Sequence, residues 1–225
     1  RGCIMSYWTL HWLEATGSLS QYRDRISENF VAAESLLSQM MPPPRQDVLI
    51  QNLPGQVIPE VGLLGRAYTE RLFSLAVDPD SPALEESLHQ GALLRHILHE
   101  VHHCLRMAGP GYGLSAGEAL VSEGLAGQFV TQLSGHSPAL WETAFSDTQL
   151  LHWPLPAEVL AQQPYDHAAL FFGSGTLPRW YGYSLGYQMV AAWLAQSGTP
   201  DPQQWVNVPA AQVIAAAQQA GLVLA

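Results

Sequence analysis

The residues of this chain best suited to chemistry are two histidines and a glutamate in one short segment. His99 and His103 are four residues apart, so on a helix both imidazoles lie on one face and can bind the same metal ion. Glu100 follows the first histidine, in a position where its carboxylate can accept a proton from a metal-activated water. The spacing predicts a hydrolase site with one Zn²⁺ ion, although neighbouring divalent ions also accept such ligands.

A third metal ligand is expected on the next helix, where Glu118 and Glu123 are the candidates. The short Gly/Pro loop at 108–114 predicts that the two helices are antiparallel neighbours. At roughly 1.5 Å per residue, Glu123 lies about 10 Å beyond the loop, level with the histidines, whereas Glu118 lies only about 3 Å in. Ser115 and Glu118 have the Ser-x-x-Glu spacing of a capping box. We therefore predict Glu123 as the ligand.

Composition limits the class of protein. The chain has 225 residues, of which 48% are hydrophobic, and it contains no linker, which predicts a single domain over 1–225. A formal net charge of −10 argues against nucleic acid or an anionic membrane as a partner, because these attract clustered Lys and Arg.

No run reaches the roughly 18 apolar residues of a membrane span. A cytoplasmic location is expected, and the start at Arg1 leaves a removed upstream segment open.

The chain contains two cysteines, Cys3 and Cys104. This number does not indicate a disulfide framework. Cys104 follows His103 on the helix, and we expect it to be a small buried apolar residue and not a metal ligand.

The elements that must position these residues predict an α+β fold. An amphipathic helix is predicted over 19–41, ended by three prolines, and helices are predicted over 84–107, from Ser115 and over 178–195. Further helix starts are predicted at Ser137-Pro138 and Asp201-Pro202. Short β-like runs occur at 47–51, 56–58, 63–68 and 71–77, with a possible hairpin turn at 69–70. The predicted order is N-terminal helices over 1–46, a small mixed sheet over 47–83, a metal-binding helix pair over 84–133 and a helical part over 134–225.

Three motifs are specific in combination: His-Glu-Val-His-His-Cys-Leu-Arg at 99–106, Ser-Glu-Gly-Leu-Ala at 122–126 and Tyr-Gly-Tyr-Ser-Leu-Gly-Tyr at 181–187. Together they resemble a bacterial family of predicted zinc-dependent proteases that was once catalogued as a domain of unknown function. The resemblance extends from the strand region to about residue 195. It implies a gluzincin-like zincin fold, zinc held by His99, His103 and Glu123, and hydrolysis of peptide bonds in a peptide or protein substrate.

Two alternatives stay open at this point. Tyr183 and Tyr187 lie four residues apart on a predicted helix, and the resemblance makes either one a candidate to stabilise the oxyanion. Aromatic residues beside glycines are also common in helix packing. The second alternative is a non-proteolytic, zinc-binding stress or chaperone-like module with a vestigial site. The intact Glu100 favours the peptidase, because a structural zinc site is usually closed by four protein ligands and needs no base.

Overall fold

The structure, a computed structural model, describes residues 6–225, and the chain forms two compact units that meet in sequence between Ala108 and Gly109. Cys3 lies outside the described residues. The single domain expected from composition stays a prediction. None of the helices within residues 6–225 is long and apolar enough to cross a membrane.

The first unit contains a four-stranded mixed sheet. Its strands are β1 (Trp8–Leu13), β2 (Gln46–Asn52), β3 (Leu63–Thr69) and β4 (Leu72–Val77), in the spatial order β1-β2-β4-β3. β2 is parallel to both β1 and β4, whereas β3 is antiparallel to β4 and lies at the edge. β4 is buried along nearly its whole length, because it lies inside the sheet and its sequence, Leu-Phe-Ser-Leu-Ala-Val, is almost entirely apolar.

Two predictions about strands were wrong. Strand β1 lies in the segment predicted to be helical; its residues alternate between more and less buried positions, which is the period of a strand and not of a helix. Residues 56–58 do not form a strand, and only Ile58 makes an isolated bridge, to Leu63. Pro54, Gly55 and Pro59 surround this segment and favour turns.

The helices of the first unit also depart from the prediction at one point. Helix α1 (Arg23–Ser38) confirms the amphipathic helix, since its buried residues recur every three or four positions. The single helix predicted over 84–107 is two helices, α2 (Leu84–His89) and α3 (Ala92–Met107). Gly91 separates them at φ 87°, a left-handed conformation that costs glycine little. α3 packs against β3 and α1.

The second unit is helical. Its helices are α4 (Ala116–Ser134), α5 (Asp147–Leu151), α6 (Ala157–Leu160), α7 (His167–Phe171), α8 (Tyr181–Ser197), α9 (Pro202–Asn207) and α10 (Ala210–Gln219). The start predicted at Asp201-Pro202 is confirmed, because the Asp201 carboxylate accepts a hydrogen bond from Gln204 N at 2.8 Å. No helix starts at Ser137-Pro138; the next one is α5, which Ser146 caps.

Glycines bring the backbones of α4 and α8 into contact. A Cβ atom on Gly124 would lie 2.0 Å from the carbonyl oxygen of Gly186, and one on Gly186 would lie 2.3 Å from that of Leu120. Both distances are far below van der Waals contact, so neither position can hold a larger residue without moving a helix. The close approach fixes the part of α4 that contains Glu123 against the part of α8 that contains Tyr183 and Tyr187.

Gly124→Ala is expected to lower the free energy of unfolding by about 3 kcal/mol, the upper end of the usual range for overpacking. The higher helix propensity of alanine offsets only about 1 kcal/mol of the destabilisation that the clash of its Cβ atom causes. For a chain of this length, a thermal melt followed by circular dichroism should show Tm lowered by roughly 6–12 °C. Gly117→Ala in the same helix is the matched control, because its nearest atom, the Leu160 oxygen, would be 3.1 Å away. Equal losses in the two variants would contradict this account of the packing.

Candidate metal centre

Helix α3 places His99 and His103 side by side. Their ring centroids are 4.6 Å apart, and the ring planes are nearly perpendicular at 87°. His103 is buried, whereas His99 is half-buried. The predicted helical spacing of the two imidazoles is therefore confirmed. The adjacent His102 is fully buried, as expected for a histidine on a different side of the helix.

Glu100 lies buried against strand β3. A Cβ atom on Gly65 would lie 2.3 Å from the Oε1 atom of Glu100 and 2.5 Å from its Cγ atom. The absence of a side chain at Gly65 therefore provides the space for this carboxylate. Glycine inside a strand is often found where another group approaches closely.

Cys104 is fully buried one turn after Glu100, which confirms the expectation of a small buried residue. Burial, followed by the negative charge of Glu100, raises the pKa of the Cys104 thiol to about 12. The thiol is therefore neutral near pH 7, as expected for a buried cysteine in apolar surroundings.

The two glutamates of α4 have different surroundings. Glu118 forms the predicted capping box: its backbone N donates to Ser115 Oγ at 3.2 Å, and Ser115 N donates to Glu118 Oε2 at 2.9 Å. The same Oε2 atom accepts from Leu114 N at 2.9 Å. These bonds provide acceptors for backbone N–H groups at the start of the helix, so the Glu118 carboxylate acts as part of the N-terminal cap.

The structure brings the three predicted metal ligands together. One ligand atom from each of His99, His103 and Glu123 lies within 4.8 Å of the other two. Atoms bound to one tetrahedral zinc ion at about 2.1 Å are roughly 3.4 Å apart. Two nitrogen donors and one carboxylate are also the donor set of many catalytic zinc sites. Among residues 6–225 no second group of three such side chains is found.

The phenol of Tyr112 contacts the predicted ligand on α4. Its hydroxyl donates to Glu123 Oε1 at 2.7 Å. Burial, then the negative charge of Glu123, and to a smaller extent the neighbouring Tyr165 and Tyr183, raise the pKa of Tyr112 well above its usual value. The phenol therefore stays protonated and remains a donor to the carboxylate.

Tyr183 and Tyr187 have different neighbours, although both lie on α8. The Tyr183 ring packs against Phe171 with a centroid distance of 4.7 Å, and it also contacts Phe172 and Trp180. The Tyr187 hydroxyl instead donates to Thr131 Oγ1 at 3.2 Å.

Residues 71–215 match the family model described as "Predicted Zn-dependent protease (DUF2268)". The chain belongs to this family. The match includes all three motifs on which the resemblance was based, so the family resemblance is confirmed. No curated protein and no solved structure matches the chain.

Sequence reasoning missed two residues of this DUF2268 protein that contact the candidate site. Gly65 could have been noticed as a glycine inside a predicted strand, which signals a close approach. Tyr112 gives no comparable signal, because a tyrosine between two glycines of a loop has no fixed spacing to the helix residues it contacts.

Proposed function

We propose that this member of the DUF2268 family is a zinc-dependent metallopeptidase with a gluzincin-like zincin fold. In this proposal His99, His103 and Glu123 hold one zinc ion, and Glu100 is the general base. The observation that supports it most directly is the meeting of the three ligand atoms within 4.8 Å. Three protein ligands are typical of a catalytic zinc site, because the fourth position is left for water or substrate.

A zinc ion bound there would polarise the peptide carbonyl and lower the pKa of water to about 7. Glu100 would accept the proton of the attacking water and later return it to the leaving amine. The position of Glu100 suits this role, because the carboxylate is buried against Gly65 and lies on the same helix as both histidines. The groups around a buried, fixed base need little rearrangement when it accepts the proton and later returns it.

The oxyanion that develops during attack needs a hydrogen-bond donor, and Tyr183 and Tyr187 are the candidates. Tyr183 is the stronger candidate, because the hydroxyl of Tyr187 is bonded to helix α4. The hydroxyl of Tyr187 already donates to Thr131.

Tyr183→Phe is expected to lower kcat roughly a hundredfold, the usual cost of removing one oxyanion donor, without changing the zinc content. Tyr187→Phe should leave kcat unchanged, because it removes a hydroxyl that is bonded within the helical unit. Steady-state kinetics on a peptide substrate and metal analysis of both proteins provide the measurement. Unchanged kcat in both variants would assign both tyrosines to packing.

The proposed activity is tested by incubating the protein with a diverse pool of unstructured peptides and identifying the products by mass spectrometry. Zinc content is measured in parallel, and Glu100→Gln serves as the control protein. Cuts that vanish in the control would support the peptidase and report its cleavage preference. A fully zinc-loaded protein that makes no cuts in this pool would contradict the proposal and favour a non-proteolytic zinc-binding module.

A further inference from the structure

Tyr112 belongs to a tightly constrained loop that precedes α4. Gly111 and Gly113 flank it, at φ 88° and 100° respectively, in the left-handed region that glycine adopts without a steric penalty. A Cβ atom on Gly113 would lie 2.2 Å from the Cβ atom of Glu118. The backbone therefore passes directly over the first turn of α4, and the glycines on both sides of Tyr112 allow it to do so.

Hydrogen bonds fix this loop to α4 at two points. Leu114 N and Ser115 N both donate to the Glu118 carboxylate at 2.9 Å. The hydroxyl of Ser122, which is fully buried, donates to the carbonyl oxygen of Tyr112 at 2.7 Å. The backbone of Tyr112 is thus bound to the residue that immediately precedes Glu123.

The side chain of Tyr112 also contacts helix α4. Its hydroxyl donates to Glu123 Oε1 at 2.7 Å, a short distance typical of a hydrogen bond to a charged acceptor. Glu123 is 8% exposed, so little water is available to replace this bond. With one carboxylate oxygen bound by the phenol, the orientation of the other oxygen is restricted.

We propose that Tyr112 is a positioning residue for zinc, which holds Glu123 Oε1 so that the Glu123 carboxylate is oriented towards the ion before binding. The carboxylates that bind metals in proteins are commonly held by hydrogen bonds of this kind, and loss of such a partner typically lowers metal affinity 10–100-fold. The inference rests on the zinc site of the proposed function. It concerns metal affinity, which can be measured without any peptidase activity.

Tyr112→Phe is expected to weaken zinc binding roughly 10–100-fold in a competition titration against a chromophoric chelator. The phenyl ring keeps the packing, and the melting temperature of the zinc-free protein shows whether the fold is retained. Tyr181→Phe is the matched control: it removes a phenol that donates to the Trp153 carbonyl oxygen at 2.6 Å in the same unit. Its zinc affinity should equal that of the parent.

A second comparison separates a role through Glu123 from a general effect on the fold. In a Glu123→Ala background two imidazoles still bind zinc weakly, and direct titration at high zinc concentration measures this residual affinity. Tyr112→Phe should not lower it further, because the carboxylate that the phenol positions is gone. Unchanged affinity in the single variant would overturn the inference. An equal loss in the Glu123→Ala background, or an equal loss in Tyr181→Phe, would also overturn it.

Ser122→Ala provides an independent variant if Tyr112→Phe does not fold. This variant removes the hydrogen bond to the Tyr112 backbone and keeps the phenol. Zinc binding should therefore weaken, but by less than is expected for Tyr112→Phe. Unchanged affinity in this variant would then contradict the inference. A parent protein that binds zinc but cleaves no peptide would refute the peptidase alone, whereas a parent that does not bind zinc would refute both proposals.

Discussion

Glu100→Gln is expected to lower kcat for peptide hydrolysis by roughly two to four orders of magnitude, the usual contribution of a general base. Glutamine has nearly the same shape as glutamate, so it should fit into the space over Gly65. Its amide cannot accept a proton from water or return one to an amine. Because Glu100 is not one of the three proposed ligands, the zinc content should equal that of the parent.

The measurement is steady-state kinetics on a peptide cleaved by the parent, with zinc determined for the same samples. Glu14→Gln is the matched control, since Glu14 is also a buried carboxylate of the first unit and has a structural role. It accepts a hydrogen bond from Leu19 N at 2.6 Å and forms an ion pair with Arg23. Its replacement should reduce stability and leave kcat per folded molecule unchanged. Equal kcat in zinc-loaded Glu100→Gln and parent would refute the role of Glu100.

The features that were predicted correctly are those that a few neighbouring residues determine. His99 and His103 share a helix face because of their spacing alone, and Ser115 and Glu118 form a capping box within a single turn. The choice of Glu123 over Glu118 as the third ligand came from the rise per residue of a helix, and it stays a prediction. Glu123 does belong to the group of side chains that could hold a metal ion.

The features that were missed depend on contacts between residues distant in sequence. Residues 8–13 form a strand because they pair with β2, whose residues lie more than thirty positions later in the sequence. Gly65 has its role because Glu100 occupies the space above it, and Tyr112 because its loop returns to α4. The break at Gly91 is different: it is a local signal in the sequence that the helical periodicity on both sides obscured.

Glu123→Ala is expected to abolish stable zinc retention. Two imidazoles from one helix would remain, and two ligands hold the ion far more weakly than three because zinc in proteins normally keeps at least three protein ligands. The affinity of the variant should be so low that dialysis against a mild chelator removes the metal, whereas the parent retains it. Metal analysis after dialysis provides the measurement, and circular dichroism checks that the protein remains helical.

Glu118→Ala is the control that makes this result specific, because it removes the other glutamate of the same helix, one that the sequence also offered as a ligand. Its carboxylate accepts hydrogen bonds from Leu114 and Ser115 at the start of α4. Loss of this cap should lower the free energy of unfolding by about 1 kcal/mol. Because the same bonds hold the Tyr112 loop, zinc affinity should fall by less than in Tyr112→Phe, and the metal should still be retained in the dialysis. The reverse result, with zinc lost from Glu118→Ala and kept by Glu123→Ala, would reassign the third ligand and remove the basis for a positioning role of Tyr112. Zinc lost from Glu123→Ala alone would link the metal to the one carboxylate that Tyr112 holds.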